Sequence, residues 1–247
     1  MNYKKLENLA NRYVKSTNVY DNYLYFPNQF KDKRDIEISA LFASLFNYGK
    51  QLDSMCAIEH VIVEMMNNRP FEYIHGDEYC NYIDNYHTLY CFNTYHNFAM
   101  LCNRLRKVYN KYDDLESAVI HTLEQPRNGA KNYAQSVMKL LSGETMVLSP
   151  QTKVGNKSIN TFLRIMVDEH PMGMNIWSVN KKRLIVAVDL QTIIAAIDLG
   201  IVTKQDTSTY VCMNKITDYA RKVFPDEPYR LEYSLRQYYL ENGCREK

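Results

Sequence analysis

The sequence is short of glycine and proline, with eight and seven in 247 residues, about half of ordinary usage. Sandwiches and barrels place Gly and Pro at their many turns, so this scarcity points to helices joined by few, short loops. No stretch of about 18 consecutive apolar residues occurs, which excludes an encoded membrane-spanning helix. The start, MNYKKLENLANRY, lacks the apolar run of a signal-peptide core, so the expected location is cytoplasmic. Six cysteines stand at 56, 80, 91, 102, 212 and 244. No two form a CxxC pair and none has a histidine at zinc-like spacing, Cys91 and His87 coming nearest. They read as reduced, mostly buried thiols, and no metal or other cofactor is expected. A net charge of +2 shows no bias toward a polyanion or away from one, so any such site must come from local clustering. Repeats, low-complexity tracts and linkers are also missing. The chain therefore reads as one compact all-α unit over residues 1–247, of about ten helices.

What is abundant is tyrosine, with 21 residues. A buried Tyr fills a core and still satisfies its hydroxyl, so part of this excess is structural. The first 30 residues are polar and aromatic. Ile36, Ile38, Leu41, Phe42, Leu45 and Phe46 then recur at helical spacing, from an acidic start at Asp35 and Glu37 to a stop at Tyr48-Gly49. A second helix is expected over 53–67. Residues 76–94 lack periodicity and read as loop with short helical pieces. Further helices fit 95–111, a run opened by a capping box at Asp113 and Glu116, 131–142, the face marked by Ile159, Phe162, Leu163, Met166 and Val167, the segment after Asp189 as far as Gly200, 206–223 and 228–241.

Three features bear on chemistry. The turn Lys153-Val154-Gly155-Asn156 leads into a helix at Lys157-Ser158, and unpaired backbone N–H groups at such a start can hold a phosphate. A Gly turn before a helix is also simply a turn. Asp189 follows the apolar run Leu184 to Val188 and precedes a helix, where Asp is a favoured N-cap. A cap Asp can serve chemistry as well, since one oxygen takes the backbone N–H and the other faces outward. Finally, residues 150–190 hold six cations (Lys153, Lys157, Arg164, Lys181, Lys182, Arg183) against three anions (Asp168, Glu169, Asp189). A basic stretch is commonly a solvated face, but this one surrounds the anion-ready turn.

Val154-Gly155-Asn156-Lys157-Ser158-Ile159-Asn160, followed by Val186-Ala187-Val188-Asp189, resembles the core of the helix-hairpin-helix DNA glycosylases. There a V-G-x-K-(T/S)-x-N helix start carries a nucleophilic lysine and an (A/P)-(V/L)-D segment the catalytic aspartate. A closer resemblance is to a bacterial family of proteins of unknown function related to that superfamily. Its K-R-L-N-M-F-L-R-W-M-V segment is similar to Lys157 through Val167. Its G-x-W, L-D-T-H and P-x-D-P-x-x-Y-x-x-x-L patterns are echoed by Asn175-Ile176-Trp177, by Val188-Asp189-Leu190-Gln191, and by Pro225-Asp226-Glu227-Pro228 with Leu231. Its D-x-E-I and A-Y-G patterns are similar to Asp35-Ile36-Glu37-Ile38 and Asn47-Tyr48-Gly49. The likeness spans about residues 25–243. The chain departs from it in lacking the L-P-G-V-G hairpin, in carrying Gln191 where relatives have histidine, and in having no four-cysteine cluster spacing at its C-terminus.

The resemblance implies a helix-hairpin-helix glycosylase-like fold, two helical lobes flanking a cleft, with the catalytic core in about 131–243 and the base-pocket side in about 25–125. It implies an enzyme, a DNA N-glycosylase that extrudes and excises a damaged or modified base, with associated lyase activity if the lysine forms a Schiff base. Lys157 and Asp189 would be catalytic: Asp189 as a carboxylate stabilising an oxocarbenium-like sugar, Lys157 as a neutral-amine nucleophile or, if it stays protonated, only a phosphate contact. Lys153, Val154, Gly155, Asn156, Lys181 and Arg183 would bind double-stranded DNA, and Tyr48, Lys50 and Trp177 would line the base pocket, with Trp177 alternatively a core residue. A monomer is expected. One expected substrate is a hypermodified base of phage DNA, which would make this an antiviral defence protein. The alternative is a DNA-binding protein that kept the fold without catalysis.

Overall fold

The computed structural model describes residues 3–18, 22–125, 130–142, 156–206 and 208–243. Among these the architecture is all-α. In chain order the helices are α1 (Tyr3–Ser16), α2 (Lys33–Phe46), α3 (Gln51–Glu59), α4 (Pro70–His75), α5 (Tyr95–Tyr109), α6 (Leu115–Glu124), α7 (Tyr133–Leu141), α8 (Lys157–Val167), α9 (Leu190–Asp198), α10 (Thr209–Val223) and α11 (Arg230–Asn242). A single antiparallel hairpin, β1 (Thr88–Tyr90) with β2 (Asn93–Thr94), is the sheet content of the described residues.

Sequence pattern accounts for most of these elements. Every residue of α2 from Ile36 to Phe46 is buried, and a helix apolar nearly all round belongs in a core. α5 begins at a capping box in which Thr94 and Asn97 each hold the other's backbone N–H. α6 is capped by Asp114, whose side chain accepts from Ser117 N at 2.8 Å, so the cap is one residue later than the Asp113 expected. The helix expected over 53–67 is α3 continued by a π-helical turn, His60–Met65. The segment read as loop with helical pieces holds a 3-10 turn, Glu78–Tyr82, and the hairpin. The first 30 residues, read only as polar and aromatic, contain α1, whose Leu6, Leu9 and Ala10 are buried. Leu184 to Val188 belongs to no helix and joins no sheet.

Two apolar clusters carry the fold. The larger takes residues from α2, α3, α5, α6, α7 and α8 together with Trp177. The smaller takes Leu6 of α1, Val186, Val188, and residues of α9, α10 and α11. α11 straddles both, giving Tyr233 to the larger and Leu231 and Leu235 to the smaller. α1 packs along α11, α9 packs on α11, and α8 packs on α2 and α7. The polar face of α11 thereby meets the starts of α8 and α9.

Candidate functional site

Lys157 opens α8 behind Asn156, whose left-handed backbone (φ 39°, ψ 51°) turns the chain sharply into the helix. Asn is one of the few non-glycine residues that adopt that region readily. Asp189 is the N-cap of α9, as expected: its Oδ1 accepts from Thr192 N at 3.0 Å, and its own N–H donates to Thr192 Oγ1 at 2.8 Å. With Oδ1 occupied, Oδ2 points the other way. It lies 3.3 Å from Lys157 Nζ and 3.0 Å from Arg236 Nη2. The lysine and aspartate side chains are 21% and 20% exposed, neither sealed in the core nor free in water.

These groups stand in a cavity of about 580 Å³ lined from α1, the α2–α3 connection, α8, the start of α9 and α11. Tyr48 forms one wall. Its ring centroid is 5.7 Å from Lys157 Nζ, and its hydroxyl shares a hydrogen bond with Ser158 Oγ at 2.9 Å. The Tyr90 hydroxyl of β1 donates to the Tyr48 carbonyl, and the exposed ring of Phe92 meets Tyr48 edge-on at 5.3 Å. Gly49, at φ +69°, has the Tyr90 hydroxyl 3.2 Å from where a Cβ would stand, so both its backbone and its lack of side chain suit this close approach. Much of the remaining lining is neutral and hydrogen-bonding, including Tyr13, Tyr23, Asn47, Gln51 and Gln191.

Behind the cavity a chain of charges runs through α11 and α8. Arg236 Nε donates to Glu232 Oε1 at 2.9 Å. Glu232 Oε2 lies 3.3 Å from Arg164 Nε, and both those side chains are 3% exposed. Arg164 donates to the Tyr233 hydroxyl at 2.5 Å, the Met172 carbonyl at 3.0 Å and the Tyr23 hydroxyl at 3.0 Å. The Tyr233 hydroxyl donates in turn to Asp168, which is fully buried. Burial by itself would raise the Asp189 pKa, but Arg236, then Lys157 and the Thr192 N–H, hold it well below the usual carboxylate range. Asp189 is therefore ionised at any ordinary pH.

The structure thus brings Lys157, Asp189 and Tyr48 together and disperses other expected residues. Trp177 does not join the cavity. It is 3% exposed, donates its indole N–H to Glu37 and packs edge-on against Phe162 at 5.4 Å, which makes it a core residue. Lys50 is the exposed N-cap of α3 and does not line the cavity, because the turn at Gly49 directs it to solvent. Lys181 is engaged by Glu169 at 3.3 Å and Glu227 at 3.4 Å. Arg183 lies over the Tyr133 ring at 5.5 Å and lines a separate depression. Asn156 faces a narrow groove beside α7 and α10. Lys153, Val154 and Gly155 lie outside the described residues. Sequence reasoning missed Arg236 and Glu232; their only local signal is the Glu–Arg spacing of four, which on a helix ordinarily marks a surface pair.

Among the described residues no group of three or more His, Cys, Asp or Glu is placed to hold a metal ion, and no helix is long and apolar enough to cross a membrane. Over residues 23–240 the chain matches the family described as "Protein of unknown function (DUF2400)". No curated protein and no solved structure matches it.

Proposed function

We propose that this chain, which belongs to the DUF2400 family, is a DNA N-glycosylase of the helix-hairpin-helix type, acting on an extruded modified base in double-stranded DNA. The observation that carries this reading is the approach of Lys157 Nζ to Asp189 Oδ2, 3.3 Å apart at two helix starts inside one cavity. These are the two positions that the family resemblance marks for a nucleophile and an anionic partner.

The geometry suggests how the chemistry would run. Extruding the base costs a few kcal/mol of stacking and pairing. As the bond from C1′ to the base nitrogen breaks, its electron pair leaves with the base and the sugar becomes oxocarbenium-like. Asp189, kept anionic by Arg236, would stabilise that charge. Asp189 itself has no proton to give, so a proton for the base would come from the Lys157 ammonium. The departing base would take that proton, and the freed amine would then close on C1′. The ring-closed amine adduct becomes a Schiff base when the C1′–O4′ bond opens and O4′ takes up a proton given by the nitrogen, and that Schiff base leads on to strand cleavage. The neutral amides and hydroxyls of the lining suit hydrogen bonding to a base edge. A volume of about 580 Å³ falls in the range of sites that enclose drug-sized ligands, which favours a base carrying a bulky substituent, such as a hypermodified base of phage DNA. The role would then be antiviral defence.

A path for the DNA backbone is supported by a second region. Lys131, Lys182, Arg183 and Arg221 line one depression, which shares Asn132, Ile185 and Asn214 with the groove reaching Asn156. Phosphates following this path would arrive just ahead of Lys157.

The alternative, a DNA-binding protein without catalysis on the same fold, draws on one fact: the Lys157–Asp189–Arg236 cluster is already satisfied without a substrate. Abasic-site release separates the two. Damaged-base duplexes and phage genomes carrying modified cytosines are incubated with wild type and with Asp189→Asn. Release from one substrate that vanishes in the variant establishes the enzyme and names its base. Intact DNA binding in both proteins with no release from any substrate establishes the binder.

A further inference from the structure

Asp189 has three partners, and they are not equivalent. Thr192 N–H takes Oδ1 at 3.0 Å. Oδ2 is shared between Arg236 Nη2 at 3.0 Å and Lys157 Nζ at 3.3 Å, the arginine being nearer. Lys157 hangs from the first residue of α8 on a flexible four-carbon stem. Arg236 is planar and is fixed at its other edge, where its Nε donates to Glu232 Oε1 at 2.9 Å. Glu232 is fixed in turn by Arg164, and Arg164 by two tyrosine hydroxyls and a backbone carbonyl.

We infer that Arg236, braced by Glu232, is the positioning residue for Asp189, and that Lys157 is the partner free to leave. This rests on the glycosylase reading for its purpose, though not for its geometry. A lysine that must reach a sugar carbon has to let go of its carboxylate. Were Lys157 the only cation present, its departure would strand a partly buried anion, which would swing away or take up a proton. With Arg236 in place the carboxylate keeps its charge and its orientation while the amine moves. The groups facing this carboxylate are Lys157 from α8, Arg236 from α11 and the Thr192 N–H from α9. Glu232 from α11 and the Tyr13 hydroxyl from α1 act on Arg236, and Arg164 from α8 faces Glu232.

The test needs no substrate for its first arm. Protein labelled with carbon-13 at aspartate carboxyls is titrated by NMR as wild type, Lys157→Ala, Arg236→Gln and Arg236→Lys. Asp189 should stay far below the usual aspartate range in wild type and Lys157→Ala, and should rise by about one unit or more in Arg236→Gln. Arg236→Lys should hold an intermediate value, since an ammonium keeps the charge but cannot fork between Asp189 and Glu232. Where the Gln variant fails to fold, the Lys variant and Glu232→Gln carry the comparison. In the second arm, single-turnover base release should fall about 100-fold in Arg236→Gln, as misplacement of a reacting group predicts, and its acid limb should move to higher pH. A merely structural arginine would lower the melting temperature without moving that limb. The inference is overturned if Asp189 titrates upward in Lys157→Ala and not in Arg236→Gln. If wild type releases no base, the glycosylase reading fails, and the carboxyl titration still decides which cation holds Asp189.

Discussion

Trp177 donates its indole N–H to Glu37 Oε1 over 2.7 Å, joining residues 140 positions apart. Glu37 also accepts from the Tyr109 hydroxyl and Leu115 N, each at 2.9 Å, and from Glu116 N at 3.3 Å. One carboxyl in the middle of α2 thus completes the start of α6 and pins the segment that follows α8. This bears on stability, because the group is fully buried.

Burial pushes the Glu37 carboxyl up, against the opposing hydrogen bonds from Leu115, Tyr109 and Trp177, to about 7. Its ordinary value is 4.5. Between those limits the folded protein binds more protons than the unfolded chain. The contribution is therefore fully present below the lower value and is lost as the pH rises to the upper one. Glu37→Gln does not titrate, so its destabilisation should be larger at pH 5 than at pH 8, by about 2–3 kcal/mol. Urea unfolding of both proteins at the two pH values measures this. An equal cost at both would mean that Glu37 is ionised throughout.

His170 Nδ1 lies 2.7 Å from Asp168 Oδ1. The hydrogen bond to Asp168 is the main cause that raises the histidine's pKa above its usual 6.5, with burial opposing it. That stabilisation is complete below the unfolded value and disappears as the pH rises through the folded one. His170→Ala should therefore lower the melting temperature more at pH 6 than at pH 9. A cost that does not change with pH would assign His170 a packing role alone.

Gly173 closes the loop that Asp168 opens. A Cβ there would fall 2.2 Å from the Asp168 carbonyl oxygen and 2.5 Å from the Asp168 Cβ. Neither atom can give way, since Asp168 is held by Arg164, His170 and Tyr233. Gly173→Ala should cost about 3 kcal/mol, read from the urea midpoint. An unchanged midpoint would show that the loop accommodates the methyl.

Lys157→Arg keeps a cation beside Asp189 but offers no amine at neutral pH. On the proposed glycosylase reading, base release should fall at least about 100-fold, and borohydride should trap a covalent protein–DNA adduct with wild type and none with the variant. Melting should change by no more than about 1 kcal/mol, because Arg236 still neutralises the aspartate. Release at the wild-type rate would assign the attack to water and leave Lys157 a binding contact.

Several of these elements are legible in the residues alone. The apolar spacing from Ile36 to Phe46 and from Ile159 to Val167 marks α2 and α8, because a helix face repeats over a few residues of chain. Asp189 reads as a cap for the same reason: its partner Thr192 is three residues away. α1 is harder to see. It buries only Leu6, Leu9 and Ala10 in a polar 14-residue stretch, and that narrow stripe has meaning only against α11. The hairpin at 88–94 carries no period-2 pattern because it spans only two short strands.

The sequence by itself placed a lysine and an aspartate at two helix starts 32 residues apart, since capping and helix initiation depend on neighbours within a turn of chain. Their approach to 3.3 Å was decided only by tertiary structure, through the packing of α8 on α2 and of α9 on α11. The same packing separated Trp177 from the cavity and brought Arg236, 47 positions beyond Asp189, onto its free oxygen. A Glu–Arg pair on a polar helix face looks alike whether it meets water or a buried carboxylate. What covers that face is fixed by α11 straddling two apolar clusters, and this depends on contacts between residues far apart in the chain.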